Sequence, residues 1–165
     1  MEGLIETKIG LKELKERYSK LREEYDIPEF SELNKAFDIE ELADCETDFY
    51  LRKIRKIVSE KIVGYLRFLE IILNPSNAPI FFFKLIKKLD DKDKGRLTKI
   101  YEKLGNMEIE IVKLDLDYSE EKEAEFIKKI FDFFMEIKGE ILEIIGKMLN
   151  GENESARKKG RGYFG

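Results

Sequence analysis

The stretch FIKKIFDFFMEIKGEILEIIGKML, residues 126–149, decides the fold class of this chain. Its apolar residues recur every three or four positions and cover about 200° of a helix surface, with Lys138 inside that arc. One neighbouring helix cannot cover so wide an arc, so the stretch predicts a long helix packed between several others. Gly139 and Gly146 lie at the edge of the arc, where they either admit another helix closely or mark a frayed surface edge.

Most of the remaining chain carries the same helical periodicity. Residues 47–73 form a second long apolar-striped segment that ends at Asn74 and Pro75. Residues 4–25 place apolar side chains at heptad spacing, which is typical of a narrow two-helix contact. The sequence therefore predicts an all-α fold, a helical bundle of six to seven helices with two long helices, about 47–73 and 119–149, as its spine.

Residues 107–118 fit two patterns. Met107, Ile109 and Ile111 alternate as in a strand, but Met107 and Ile111 also continue to Leu114 with helical spacing. A lone strand has no partner inside this chain, so we predict a helix, separated from the preceding one by Gly105. The alternative is a strand that pairs with its own copy in a dimer.

Three adjacent phenylalanines stand in NAPIFFFKLIKKL, residues 77–89. On a helix they fan out with their apolar neighbours over about 200°, so this helix needs two neighbours, one of which can belong to another chain. We therefore predict an interface formed by this helix, the N-terminal heptads and the two glycines. The candidate interface residues are Phe81, Phe82, Phe83, Leu11, Leu14, Tyr18, Gly139 and Gly146.

Charge is distributed unevenly along the 165 residues, whose formal net charge is -4. Length predicts a single domain over 1–150, followed by a basic, glycine-containing tail over 151–165. Basic side chains also follow one another on the helix over 52–67. Basic residues interleaved with aromatic ones contact phosphates and stack on bases. The candidate nucleic-acid contacts are Arg52, Arg55, Lys56, Arg157, Lys158, Lys159, Arg161, Tyr163 and Phe164.

Most reaction chemistry lacks its usual side chains in this sequence. The chain has no histidine and one cysteine, Cys45, so zinc sites and Ser-His or Cys-His pairs are excluded, as is an internal disulfide. The first residues do not resemble a signal peptide, and no apolar run reaches the ~18 residues of a membrane span. We expect a cytoplasmic protein without catalytic residues, cofactor, metal or membrane contact.

Three stretches resemble a conserved archaeal all-helical family that has no assigned activity. They are FDIEEL at 37–42, NPSNAPIFFFKLIKKL at 74–89 and YSEEKEAEFIKKIF at 118–131. The resemblance covers about residues 28–145 and implies a helical fold and an archaeal source. Heavy use of lysine and glutamate is also typical of thermophilic proteins.

Function is predicted from what the chain offers rather than from a motif. Wide apolar arcs and few reactive side chains favour a non-enzymatic interaction or scaffold protein that acts as a homo-oligomer, most simply a homodimer, or binds another helical protein. The alternative is a factor that binds RNA or DNA through the basic helix and tail. A third possibility is an enzyme built on carboxylates, tyrosine or Lys138.

Overall fold

A computed structural model of the chain describes residues 2–45 and 47–159, with side chains described for 10–45, 47–76 and 78–150. This part of the chain is all-α, as predicted, and contains no strand. Its six α-helices are α1 (Glu2–Tyr25), α2 (Phe30–Phe37), α3 (Tyr50–Leu73), α4 (Ile80–Ile86), α5 (Asp91–Leu116) and α6 (Glu120–Lys159). Two short 3₁₀ helices, Ile39–Leu42 and Pro75–Asn77, lie between them.

Local sequence sets several helix ends. Asp38 adopts a left-handed conformation with φ 63° and stops α2. Pro75 follows α3 and Pro79 precedes α4, where its missing N–H leaves no helical bond unmade. At the start of α5, the Asp90 carboxylate accepts a hydrogen bond from the backbone N–H of Asp93 at 2.8 Å, which satisfies one free donor of the first turn.

Helix α5 is longer than predicted. We predicted that Gly105 ends one helix and that residues 107–118 form a second, with a strand as the alternative. The helix is confirmed as far as Leu116, but α5 runs unbroken through Gly105 to reach it. The strand alternative and the predicted break are both wrong. Leu104, Met107 and Leu114 are buried along one continuous face, and burying that face outweighs the ~1 kcal/mol that a glycine costs a helix interior.

Helix α6 also passes its predicted end. The sequence suggested a helix over 119–149 that stops at Asn150 and Gly151, whereas α6 continues to Lys159. The first nine residues of the predicted tail are therefore helical in backbone, and their side chains are not described. Residues 160–165 lie outside the described part of the chain.

Contacts between residues divide the chain into two compact units. Unit 1 comprises Met1–Gly64 and Asn106–Phe134, and unit 2 comprises Tyr65–Gly105 and Met135–Gly165. Helices α3, α5 and α6 contribute residues to both units. The predicted single domain, 1–150, takes in residues of both.

The core of unit 1 forms around α1, α2 and the first half of α3. The Tyr18 hydroxyl donates to the backbone carbonyl of Pro28 at 2.6 Å, and the rings of Phe37 and Phe134 lie 5.0 Å apart. These contacts connect α1 to the loop before α2, and α2 to α6. The buried apolar residues include Leu14, Ile27, Leu33, Ile39, Leu51, Ile54, Val58, Ile62, Phe126, Ile127 and Ile130.

The core of unit 2 is formed by the end of α3, helix α4, the first half of α5 and the second half of α6. Its buried apolar residues include Leu66, Leu69, Ile72, Leu85, Ile86, Leu89, Leu97, Ile100, Leu104, Ile137, Ile144 and Met148. Across the described residues of both units, no helix combines the length and the apolar composition needed to cross a bilayer.

Candidate interaction surfaces

Arg55 lies in the interior of unit 1, where sequence reasoning had placed a nucleic-acid contact. Its side chain is 1% exposed and Glu123, its partner, is 0% exposed. Arg55 Nε donates to Glu123 Oε2 at 2.7 Å, and Arg55 Nη2 donates to Asp115 Oδ1 at 2.6 Å. Burial lowers the pKa of Arg55, but its hydrogen bonds to the two carboxylates raise the pKa by more, so the guanidinium stays charged. The predicted phosphate contact at Arg55 is wrong because its donors are used inside the protein.

Arg52 and Lys56 complete the predicted basic face of α3. Arg52 Nη2 donates to the backbone carbonyl of Asp115 at 3.1 Å, and its guanidinium lies 5.1 Å from the centre of the Tyr118 ring. Lys56 is exposed. The basic face is therefore interrupted rather than continuous.

The predicted contacts of the tail cannot be located on a surface. The side chains of Arg157, Lys158 and Lys159 lie outside the described ones, as do residues 160–165, which hold Arg161, Tyr163 and Phe164. Of the predicted nucleic-acid contacts whose side chains are described, Lys56 is exposed and Arg52 has part of its guanidinium bound within the chain. That is a small fraction of the predicted basic surface.

The heptad residues of α1 are used within unit 1. Leu14 and Tyr18 are each 2% exposed, and the Tyr18 ring meets Phe30 edge-on at 5.3 Å. Leu11 is partly exposed. Leu14 and Tyr18 are therefore corrected from interface residues to core residues, because α2 and the loop before it already cover this seam.

The phenylalanine-rich helix α4 is covered on one side. Leu85 and Ile86 are buried, whereas Phe81 is 64% exposed, Ile80 and Phe83 are exposed, and Phe82 is partly exposed. We call Ile80, Phe81 and Phe83 the aromatic patch. One side of the predicted wide apolar arc is thus buried within the chain, and the other side faces solvent.

A second exposed apolar surface follows α6 in unit 2. Met135, Leu142 and Leu149 are 54%, 58% and 62% exposed, and they recur at intervals of seven residues. Gly139 is exposed and Gly146 partly so, and a Cβ added at either would meet no atom within 4 Å. We call these five residues the outer seam. Their spacing of four, three, four and three residues is that of a coiled-coil seam.

Helix α6 is apolar on two opposite sides. Ile137 and Ile144 are buried in unit 2, and each lies two positions, or about 200° of helix, from Met135 and Leu142. Sequence reasoning found both glycines but missed the three large residues, because it counted Leu142 and Leu149 among the residues of a single arc. The signal that distinguishes the outer seam is that its large residues recur every seven positions and that a glycine lies between each pair of them.

Paired charges form one border of the outer seam. Arg96 on α5 donates to Glu140 and, through Nη2, to Glu143 at 3.0 Å, while Lys147 Nζ donates to Asp93 at 2.7 Å. The hydrogen bond from Lys147 holds the pKa of Asp93 below its usual value, and Arg96 does the same for Glu143. Lys138, placed in the apolar arc by its sequence position, is exposed instead.

Helix α5 carries a third exposed apolar surface, in unit 1. Ile109, Val112 and Leu116 are exposed and are spaced by three and four residues. They continue one side of a helix whose other side is buried through Met107 and Leu114. This surface is shorter than the outer seam and lacks glycines between its large residues.

An open cleft of about 520 Å³ lies in unit 1. Arg17, one of the residues that line the cleft, forms an ion pair with Glu13, and its guanidinium lies 4.9 Å from the centre of the Tyr50 ring. No cluster of three or more candidate metal ligands occurs among the described residues. The cleft is lined by Gly10, Glu13, Arg17, Ala43, Asp44, Cys45, Thr47, Asp48 and Tyr50.

Comparison with known proteins adds no relative to this picture. No protein-family model, curated protein or solved structure matches the chain. The resemblance to an archaeal helical family therefore stays a prediction.

Proposed function

We propose that this chain is a non-enzymatic cytoplasmic protein that acts by helix-mediated association and forms a homo-oligomer through unit 2. The outer seam is the observation that carries the proposal. Single exposed apolar side chains are ordinary on protein surfaces, but Met135, Leu142 and Leu149 align on one side of one helix. A helix that is apolar on two opposite sides needs a neighbour on each.

The energy available from the outer seam suits a reversible contact. Complete burial of one Leu or Met side chain stabilises by about 1.5–3 kcal/mol, and each of the three has more than half of its surface left to bury. Two copies of the seam thus contribute roughly 5–10 kcal/mol. Association itself costs about 4–15 kcal/mol, so we expect the seam to support a dimer that dissociates on dilution.

The aromatic patch is a further exposed apolar surface of unit 2. Lys88, just after α4, donates through Nζ to the backbone carbonyl of Met148 at 2.8 Å, next to Leu149. This bond joins the segment after α4 to α6 near the last part of the outer seam, whereas the aromatic patch lies in the first half of α4. Phe81 and Phe83 offer large rings of the kind that concentrate binding energy at interfaces.

Sedimentation velocity over a wide concentration range tests the proposal. We expect a concentration-dependent shift from monomer to dimer, and Leu142→Glu should abolish the shift because it places a charge in the apolar contact. Thr98→Glu is the matched control, since Thr98 is exposed on α5 of the same unit and lies off the seam. A monomer at every concentration, or equal behaviour of the two variants, would contradict the proposal.

A further inference from the structure

We propose that the outer seam is occupied by the outer seam of a second copy that runs antiparallel to it, so that each leucine packs against a glycine. This inference rests on the proposed function and specifies its partner and orientation. It follows from the order of large and small residues along α6 and from the charges that border the seam.

The alternation of size favours the antiparallel arrangement. In heptad terms, Gly139 and Gly146 occupy position a, and Met135, Leu142 and Leu149 occupy position d. A parallel pair would set glycine against glycine and leave a gap in every second layer. An antiparallel pair sets position a against position d, so each layer that contains a leucine combines it with a glycine and reaches the packing density of a protein interior.

One register serves both leucines. When the two helices cross near Ile144, Leu142 of one copy meets Gly146 of the other, and Leu149 meets Gly139. A register shifted by one heptad would instead place Leu149 against Asp132, an exposed carboxylate. The first register is symmetric, so the same surface on both copies forms the whole contact, as a two-fold interface requires.

The charged border of the seam is compatible with a second copy. Glu143 would lie near its own counterpart, but each Glu143 already binds Arg96 of its own chain. Glu136 and Glu140 likewise have Lys103 and Arg96 as ion-pair partners. The border thus carries both signs in near balance, which removes like-charge repulsion between copies and gives no preference for a strongly basic or acidic partner.

The glycines add an argument of their own. A glycine inside a helix weakens that helix. At Gly139 and Gly146 the described part of this chain leaves room for a Cβ, so its own packing does not require a glycine at either position. A leucine from a second helix that packs at those positions would require a glycine there. The space is therefore explained by the partner rather than by the fold of the single chain.

Cysteine crosslinking measures the orientation directly. In a Cys45→Ser background, chains carrying Gly139→Cys are mixed with chains carrying Leu149→Cys and oxidised. A disulfide needs Cα atoms about 4.4–6.8 Å apart, which the antiparallel register provides for this mixed pair. Leu149→Cys chains alone should not crosslink, because their two positions would lie about 15 Å apart along the helix.

Each outcome decides a separate point. A mixed Gly139→Cys and Leu149→Cys dimer supports the inference. Rapid crosslinking of Leu149→Cys alone overturns it in favour of a parallel pair, while the proposed association through unit 2 survives. Dimers in sedimentation without a crosslink in either experiment also overturn the inference, because they exclude the proposed register. Absence of dimers overturns both proposals.

A size swap provides a second measurement. Gly146→Leu sets a leucine against Leu142 of the other copy, so we expect dimerisation about tenfold weaker or worse. The double variant Leu142→Gly with Gly146→Leu restores one large and one small residue per layer, and dimerisation should recover. Failure to recover, in a variant whose helix content is normal by circular dichroism, would contradict the leucine-to-glycine packing.

Discussion

At the scale of single residues, Arg55 and Glu123 form an ion pair inside unit 1. Both side chains are removed from water, and their charges compensate each other through a short hydrogen bond. Asp115 adds a third charge from a half-exposed position, so water still solvates it. Removing one member of such a pair leaves the other charge buried without compensation.

We therefore expect Glu123→Ala to lower the free energy of unfolding by about 3–5 kcal/mol. Guanidinium unfolding followed by circular dichroism measures this change. Glu110→Ala is the matched control, because Glu110 pairs with Lys129 at the exposed surface of the same unit and should cost less than about 1 kcal/mol.

The double variant Arg55→Met with Glu123→Leu completes this test. It removes both buried charges and keeps apolar volume, so it should recover most of the stability that Glu123→Ala loses. Equal losses for Glu123→Ala and Glu110→Ala would show that the buried pair is no more important than a surface pair.

At the scale of secondary-structure elements, glycines in helices separate into two kinds. Gly105 lies inside α5, where an added Cβ would meet nothing within 4 Å. Gly10 lies inside α1 against the loop after the first 3₁₀ helix, where a Cβ would come 2.6 Å from the backbone oxygen of Ala43. The first position has room for a side chain and the second does not.

Alanine substitution should accordingly act in opposite directions. We expect Gly105→Ala to stabilise the protein by about 0.5–1 kcal/mol, because alanine loses less backbone entropy in a helix. Gly10→Ala should destabilise it, because Ala43 contributes backbone rather than a movable side chain. Thermal unfolding of the two variants beside the parent measures both. A lower melting temperature for Gly105→Ala would mean that α5 is not continuous at this point.

The elements also show what periodicity can and cannot predict. Apolar spacing was enough to predict the all-α fold and to place α3 and α6, since burial of an apolar stripe is what makes a segment helical in a protein. It could not predict that α5 continues through Gly105, because a glycine both stops helices and occurs inside them. The deciding factor was burial on either side of it, which only the folded chain reveals.

The candidate site was predicted in part for a related reason. Spacing identifies an apolar side of a helix but does not say which neighbour covers it. Leu14 and Tyr18 are covered by their own unit, whereas Phe81 is not, and the sequence treats them alike. Arg55 was misplaced because its partner Glu123 lies 68 positions away, beyond any local pattern.

At the scale of the whole molecule, ionisation is unusually simple. The chain contains no histidine, the one side chain whose ordinary pKa lies between about pH 5 and 8. The carboxylates of Asp93 and Glu143 are held ionised by Lys147 and Arg96, so each has a lower pKa in the folded than in the unfolded protein. Their stabilising effect is complete above the unfolded pKa and is lost as the pH falls through the folded one.

We therefore expect the melting temperature to stay nearly constant from about pH 5 to 8 and to fall below about pH 4. Asp93→Asn should reduce the size of the fall in acid, because the asparagine has no proton to bind. Differential scanning calorimetry across this range compares the two proteins. A parent protein whose melting temperature changes steeply near pH 6.5 would contradict this assignment.

Heat changes how Arg55 and Glu123 contribute to the fold. Water orders itself around charged groups, and this hydration becomes less favourable as the temperature rises. Desolvation of the guanidinium and the carboxylate therefore opposes folding less at high temperature, while the gain from apolar burial levels off. The contribution of this buried ion pair to the stability of unit 1 thus grows as the temperature rises. Apolar side chains of the same volume would not provide such an increase.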